Sequence, residues 1–315
     1  MSLIEKINDP KDIKEMDIKE LNDLAGEVRE IIIKKVSKTG GHMGPNLGFI
    51  EPTIAMHYVF NSPVDKIVYD VSHQCYTHKI LTGRKDNFID EEKYEDISGY
   101  TNPHESKHDF FQIGHTSTSI SLATGLAKAR DVKNEKGNVI AVIGDGSLTG
   151  GEAYEGLNNA AVLNSNIIIV VNDNEMSIAK NQGGLVGHLD TLRKTNGKSE
   201  CNMFKALGFD YYYVEDGNDV ESLINTFKAV KDTNKPVVVH IQTNKGKGYK
   251  FAEENKEAGH WVMPSDFDYS KMPKESYSSI LADFISKKCE NNDCRNYSCN
   301  TYRMWIYTRF KSKIR

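Results

Sequence analysis

The sequence predicts an α/β fold, a parallel sheet with helices on both faces. Three observations carry this. The runs "KIVY", "NVIAVI", "NIIIVV" and "PVVVHI" are continuously apolar and rich in β-branched residues, as strands covered on both sides are. Stretches with apolar residues at helical spacing lie between such runs, so strand and helix alternate. Two of the runs end in small polar clusters, Gly144-Asp145-Gly146-Ser147 and Asn172-Asp173-Asn174-Glu175. Parallel sheets bind their ligands at such carboxyl ends.

Taken in order, residues 17 to 36 read as an amphipathic helix with charges between the apolar positions. "KTGGHMGPNLG", with four glycines and a proline, reads as a loop. "FIEPTIAMHYVFN" is a second helix and "KIVYDVS" a short buried strand. "HQCYTHKILTG" is a loop with a short helix ending at Gly83, and Arg84 to Phe111 is polar and irregular. "TSTSISLATGLAKARDV", rich in small residues, is a closely packed helix. Then come strand "NVIAVI", helix "GGEAYEGLNNAAVLN" and strand "NIIIVVN". "FDYYYV", the helix "DVESLINTFKAVKD" and "PVVVHIQT" repeat the alternation. No internal repeat or low-complexity segment interrupts it.

A chain of 315 residues suits one large or two medium domains. A net charge of −4 argues against a nucleic-acid partner. No apolar run is long enough to span a bilayer, and "MSLIEKINDPKDIKEMD" lacks the apolar core of a signal peptide, so the expected location is cytoplasmic, with no membrane partner. The five cysteines, Cys75, Cys201, Cys289, Cys294 and Cys299, are expected to be free thiols, since the even spacing of the last three is not a usual zinc spacing.

The strand-end clusters suggest a chemistry. Gly144 and Gly146 let the backbone approach a bound group and expose amide donors, and the helix that follows aims its positive end at the same place. Asp145 offers a hard carboxylate oxygen and Asn174 a carboxamide oxygen, which suit Mg²⁺ completed by phosphate oxygens. A lone Gly-Asp-Gly is more often a plain turn. The 29 residues from Asp145 to Asn174 are, however, enough for one crossover helix and the next parallel strand, so the two side chains can meet at adjacent strand ends.

"GDGSLTGGEAYEGLNNAAVLNSNIIIVVNDNEMSIA" resembles the thiamine-diphosphate motif, in which GDG is followed by an NDN-type end. Together with "GGHMGPNLG", "DVSHQCYTHKILTG", "IGHTSTSIS" and "KGKGYKFAEEN", it is similar to the 1-deoxy-D-xylulose-5-phosphate synthase family of the transketolase superfamily, over roughly residues 25 to 270. The resemblance implies thiamine diphosphate and Mg²⁺ as cofactors. Asp145 and Asn174 would hold Mg²⁺ by their side chains, and Met176 by its main-chain carbonyl. Gly146, Ser147 and Asn174 would lie at the diphosphate, with Gly114, His115 and Thr116 near the thiazolium and Tyr249 also touching the cofactor. His73 would sit at the diphosphate and substrate side, and His42 and His260 near the reacting carbon. Histidines suit that place because neutral and protonated imidazoles coexist near pH 7. The implied substrates are pyruvate and a sugar or triose phosphate, and the implied full-length assembly is a homodimer. His57, His78, His104, His108, His188 and His240 are expected to be ordinary, mostly surface, histidines, His78 being the best further candidate among them.

The sequence departs from the family in four places. Gly44-Pro45 stands where the synthases usually carry Ala-Ser. The segment around "HLDTLRKTNGKSECN" is shorter, and "AEENKEAGHW" differs from the usual approach to its histidine. These leave open a transketolase-like enzyme acting on another sugar phosphate, with this chain as its diphosphate-binding subunit. The fourth departure concerns domains. Residues 1–270 match the diphosphate-binding domain, 271–290 read as a linker and the first helix of a truncated pyrimidine-binding domain, and 291–315 as an aberrant tail. A one-base shift in permitted codons from Asp293 to Ile314 can be read as the missing family strand, so the tail is expected to be out of frame and to pack poorly. The family glutamate that activates the aminopyrimidine is not found. The chain alone is therefore expected to be inactive unless a separate pyrimidine-domain subunit completes it, and a non-catalytic truncated chain is the remaining alternative.

Overall fold

The computed structural model describes residues 2–267 together with Ile280 and Phe284. The chain divides into two units, Met1–Pro264 and Ser265–Arg315, and the elements below belong to the first. The expected tail at 291–315 and most of the expected linker lie outside the described residues, as do Cys289, Cys294 and Cys299.

Helix α1 spans Ile18–Thr39. Asp17 and Glu20 form a reciprocal capping box at its start, a device contributing about 1 kcal/mol. Its buried Leu21, Leu24, Val28, Ile32 and Val36 recur at helical spacing. The glycine-rich stretch that follows is more ordered than the expected loop: it holds a two-residue strand β1 (Gly41–His42) and a single turn α2 (Gly44–Leu47). Next come α3 (Ile50–Val59), strand β2 (Lys66–Tyr69) and α4 (Tyr76–Lys79), whose continuation is broken by a kink at Thr82 and Gly83, where the short helix is expected to end. The stretch expected to be irregular contains α5 (Asp86–Ile89). Beyond it lie α6 (Ser119–Val132), β3 (Val139–Gly144), α7 (Gly151–Ala161) and β4 (Ile167–Asp173). Helices α8 (Gly184–Lys194) and α9 (Met203–Leu207) were not foreseen. The remaining elements are β5 (Asp210–Val214), α10 (Val220–Val230), β6 (Pro236–Gln242), α11 (Lys250–Glu254) and β7 (Trp261–Val262).

The main sheet is parallel throughout, in the order β2-β3-β4-β6-β5. Successive side chains of a strand point to opposite faces, and the central strands use both. Ile140 and Val142 of β3, Ile168 and Val170 of β4, and Val237, Val239 and Ile241 of β6 pack into one core with α1, α3 and α10. Val139, Ala141, Ile143, Ile167, Ile169, Val171 and Val238 pack into a second core with α6, α7, α8 and α9. Strand β5 is the exception to continuous burial. It lies at the sheet edge and alternates between exposed and half-buried residues up to Val214. β1 and β7 form a separate antiparallel pair, Gly41 opposite Val262 and His42 opposite Trp261. Among the described residues no helix is long and apolar enough to cross a membrane.

Candidate functional site

The carboxyl ends of β3 and β4 lie side by side, with Gly144 opposite Asn172. The pairing continues one residue further, where Asp145 N donates to Asn172 O at 3.0 Å. The polar clusters seen in the sequence therefore meet. They form one wall of a pocket of about 220 Å³, lined also by His42, His73, Thr116, Met176, Lys245 and His260. Asp145, Gly146, Ser147 and Asn174 are all in that wall. Gly114, His115 and Tyr249 are not among the lining residues. His115 is exposed, with Nδ1 at 2.7 Å from Thr116 O, and Tyr249 packs beside the first core.

Asp145 carries the electrostatic tension of this wall. Its Oδ1 accepts from Gly146 N at 2.8 Å, but Oδ2 is buried with no hydrogen-bond partner. Burial and then the nearby Asp173 carboxylate push its pKa well above the usual carboxylate range. A buried carboxylate with an unpartnered oxygen fits a cation, which would supply the missing partner. Asn174 Oδ1 already accepts from Met176 N at 3.1 Å, and a carboxamide oxygen retains a second lone pair. Among the described residues no three His, Cys, Asp or Glu side chains gather as a metal-binding group. The donor set available here is one carboxylate, one carboxamide and main-chain carbonyls, which suits a hard cation finished by ligand oxygens. At Gly146 a Cβ would lie 2.8 Å from Ser177 Cβ, so only glycine lets the turn pack this closely.

The opposite wall is built from three imidazoles. The β1–β7 pair brings His42 and His260 together from distant parts of the chain, and Met43 N donates to His260 O at 3.2 Å. Buried Asn46 ties in the third, its Nδ2 donating to His42 O at 2.8 Å and to His73 O at 2.7 Å. Ring centroids are 5.0 Å apart for His42–His73, 5.3 Å for His42–His260 and 5.6 Å for His73–His260. Burial, with Lys245 adding to it, lowers His42 to about 4. Burial, then His42 and Lys245, lowers His73 to about 3, and burial, then Lys245 and the other two rings, lowers His260 to about 2. All three are neutral at pH 7, which corrects the expected mixture of neutral and protonated rings. Nδ1 of His73 and Nδ1 of His260 are buried without partners. The Gly44-Pro45 departure has a local cause: a Cβ at Gly44 would approach Gly259 O to 2.9 Å, next to His260.

Sequence reasoning missed several residues here. Lys245 is buried in the pocket, its Nζ donating to Ser177 O at 2.6 Å, and burial lowers it to about 8 although Asp145 pulls the other way. It lies in "KGKGY", four residues before Tyr249. Gln74 also lines the pocket, with a buried and unpartnered Oε1. Asp70, at the end of β2, accepts from Ser117 N at 2.8 Å and Ser119 N at 2.9 Å and so pins the loop that carries Thr116. His57, His78, His108 and His240 are buried rather than at the surface.

A family model described as 1-deoxy-D-xylulose-5-phosphate synthase matches residues 4–202 and 195–243. The 1-deoxy-D-xylulose-5-phosphate synthase of Caldanaerobacter subterraneus subsp. tengcongensis is 43% identical, the match covering 90% of this chain and 52% of that protein. That of Pelotomaculum thermopropionicum is also 43% identical, over 87% of this chain and 48% of its own. The chain thus spans about half the length of the curated relatives it matches. Among solved structures, transketolase from Campylobacter jejuni aligns with a TM-score of 0.63 at 20% identity, covering 78% of this chain and 41% of that one. Transketolase from Leishmania mexicana aligns with a TM-score of 0.60 at 18% identity, covering 94% and 45%. These two show the fold: a parallel sheet clothed by helices, as in transketolases. With sequence matches across most of its length, the chain belongs to the 1-deoxy-D-xylulose-5-phosphate synthase family.

Proposed function

We propose that this chain builds the diphosphate side of a thiamine-diphosphate site, and that its parent reaction is the family one, joining pyruvate to glyceraldehyde 3-phosphate with loss of CO₂. The observation that supports this most is the unpartnered, buried Asp145 Oδ2 in a wall shared with Asn174, Met176, Gly146 and Ser147. Asp145 and Asn174 would hold Mg²⁺ by their side chains and Met176 by its carbonyl, and Gly146 and Ser147 would meet the diphosphate. When bound, thiamine diphosphate supplies the carbanion chemistry. The chain's own residues bind and polarise. As neutral rings, His42, His73 and His260 each offer one N–H donor and one lone pair, so they stabilise a developing oxyanion by hydrogen bonding rather than by full charge. Lys245, near enough to Asp145 to feel its charge, adds a positive partner for an anionic ligand. Pairing into a homodimer belongs to the same reading. The transketolase-like alternative rests on fold alone, because those structures are only 18–20% identical.

Calorimetric titration tests the reading. Thiamine diphosphate should bind the chain only with Mg²⁺ present, and Asp145→Ala should abolish that binding. Affinity independent of Mg²⁺, or untouched by Asp145→Ala, would overturn it.

A further inference from the structure

We propose that Asp173 is a positioning residue for the cation loop: with its carboxylate held from behind by His240 and Arg193, it fixes the turn that carries Asn174 and Met176 into the pocket shared with Asp145. The inference rests on the cation reading above and extends it to residues outside the expected ligand set.

The two oxygens of Asp173 do different work. Oδ2 accepts from Arg193 Nη1 at 2.5 Å and from His240 Nε2 at 2.9 Å. Oδ1 is left to reach forward, accepting from Glu175 N at 3.2 Å. Glu175 sits between the two expected ligands with φ at +66°, a left-handed conformation that a residue with a side chain holds only when its surroundings impose it. Arg193 imposes it from a second side, Nη2 lying 3.1 Å from Glu175 Oε1. The anchor itself is rigid. The Tyr211 hydroxyl lies 2.8 Å from His240 Nδ1, so the imidazole is fixed at both nitrogens, and Thr243 N donates to Asp173 O at 2.9 Å. Strands β4, β5 and β6 and helix α8 thus converge on one carboxylate behind the loop. If Asp173 merely neutralised a buried guanidinium and imidazole, Oδ2 alone would suffice. The bond from Glu175 N and the second hold by Arg193 tie that anchor to the loop. Outer partners of this kind orient metal ligands, and losing them typically weakens metal binding on the order of 10–100-fold.

The test uses Mn²⁺ as probe, counted by electron paramagnetic resonance with thiamine diphosphate present, and hydrogen exchange of residues 174–181 in the cation-free chain. Asp173→Ala and Arg193→Gln should each speed exchange in that segment while β3 keeps its protection. They should weaken Mn²⁺ binding by roughly 10-fold or more. Arg193→Lys, which keeps the charge, should recover part of the loss. If Asp173→Ala loses β3 protection and so does not fold, Arg193→Gln carries the test. Unchanged exchange across 174–181 in the folded variants would overturn the positioning role. Mn²⁺ binding that survives Asp145→Asn would overturn the cation reading instead, so the two failures are told apart.

Discussion

Two groups of histidines in this molecule differ in burial and in charge partners: His57 and His78 are fully buried, while His42, His73 and His260 are half-buried. In the first, His57 Nε2 lies 2.9 Å from His78 Nδ1, His78 Nε2 donates to Asp109 at 2.9 Å, and Asp109 also accepts two bonds from Arg84 and one from Asn102 N. Burial alone would raise Asp109, but His78 and Arg84 overcome it and hold the carboxyl well below its usual range. The loose ends of this cluster are His57 Nδ1 and Arg84 Nε. In the second group His42, His73 and His260 face one another, no ring has a carboxylate partner among the described residues, and His73 Nδ1 and His260 Nδ1 lack partners. The first is a charge-paired network that stabilises the fold. The second keeps its hydrogen-bonding capacity for something else. The first group is fully buried and paired with a carboxylate, the second half-buried and without one, and that difference separates scaffold from site.

The largest expected effect breaks the charge-paired network. Asp109→Ala strands Arg84 in the interior and should cost about 3–5 kcal/mol in urea denaturation. A loss under 1 kcal/mol would show that the network is not holding the fold. The pH dependence sharpens the contrast. His42 at about 4 and His73 at about 3 lie below the ordinary 6.5, so the unfolded chain takes up protons first as pH falls. Their stabilising contribution is present above pH 6.5 and is lost as pH falls toward about 4. His73→Gln should flatten that decline by at most about 1.4 kcal/mol per pH unit, and an unchanged slope would mean that His73 is not held neutral. The smallest effect has the opposite sign. In the cation-free chain Asp145→Asn should raise stability by about 0.5–2 kcal/mol, because a carboxamide cannot ionise where burial and the Asp173 carboxylate both disfavour the ionised form. Thermal melting without Mg²⁺ checks this, and a clear loss of stability would count against the strain assigned to Asp145.

The parallel sheet was legible because a strand buried on both faces needs apolar residues at every position, as Ile167 to Val171 show. The juxtaposition of the two strand ends was legible for the same reason: fixed strand and crossover lengths leave Asp145 and Asn174 few places to go. Pairs of two residues leave no such trace. Gly41–His42 and Trp261–Val262 are too short for any period, and their partnership is non-local. Lone polar residues were equally silent. Nothing in the letters around Lys245, His57 or His240 says that these side chains are buried, since burial is conferred by neighbours remote in sequence. Helix α8 was missed where its glycines, Gly184 and Gly187, blurred the pattern that Leu185, Leu189 and Leu192 carry.

The tiny β1–β7 ladder sets an order of events during synthesis. His42 leaves the ribosome before any strand of the main sheet, while the segment that must pair beside it comes near the end of this unit. Elements made first fold first, and contacts between distant segments wait for loop closure. A nascent chain that has completed β6 can therefore assemble the whole sheet and the Asp145 wall, yet still lack the imidazole His260 brings. A chain ending at Gln242 would contain every strand of the main sheet and none of the segment that pairs with β1.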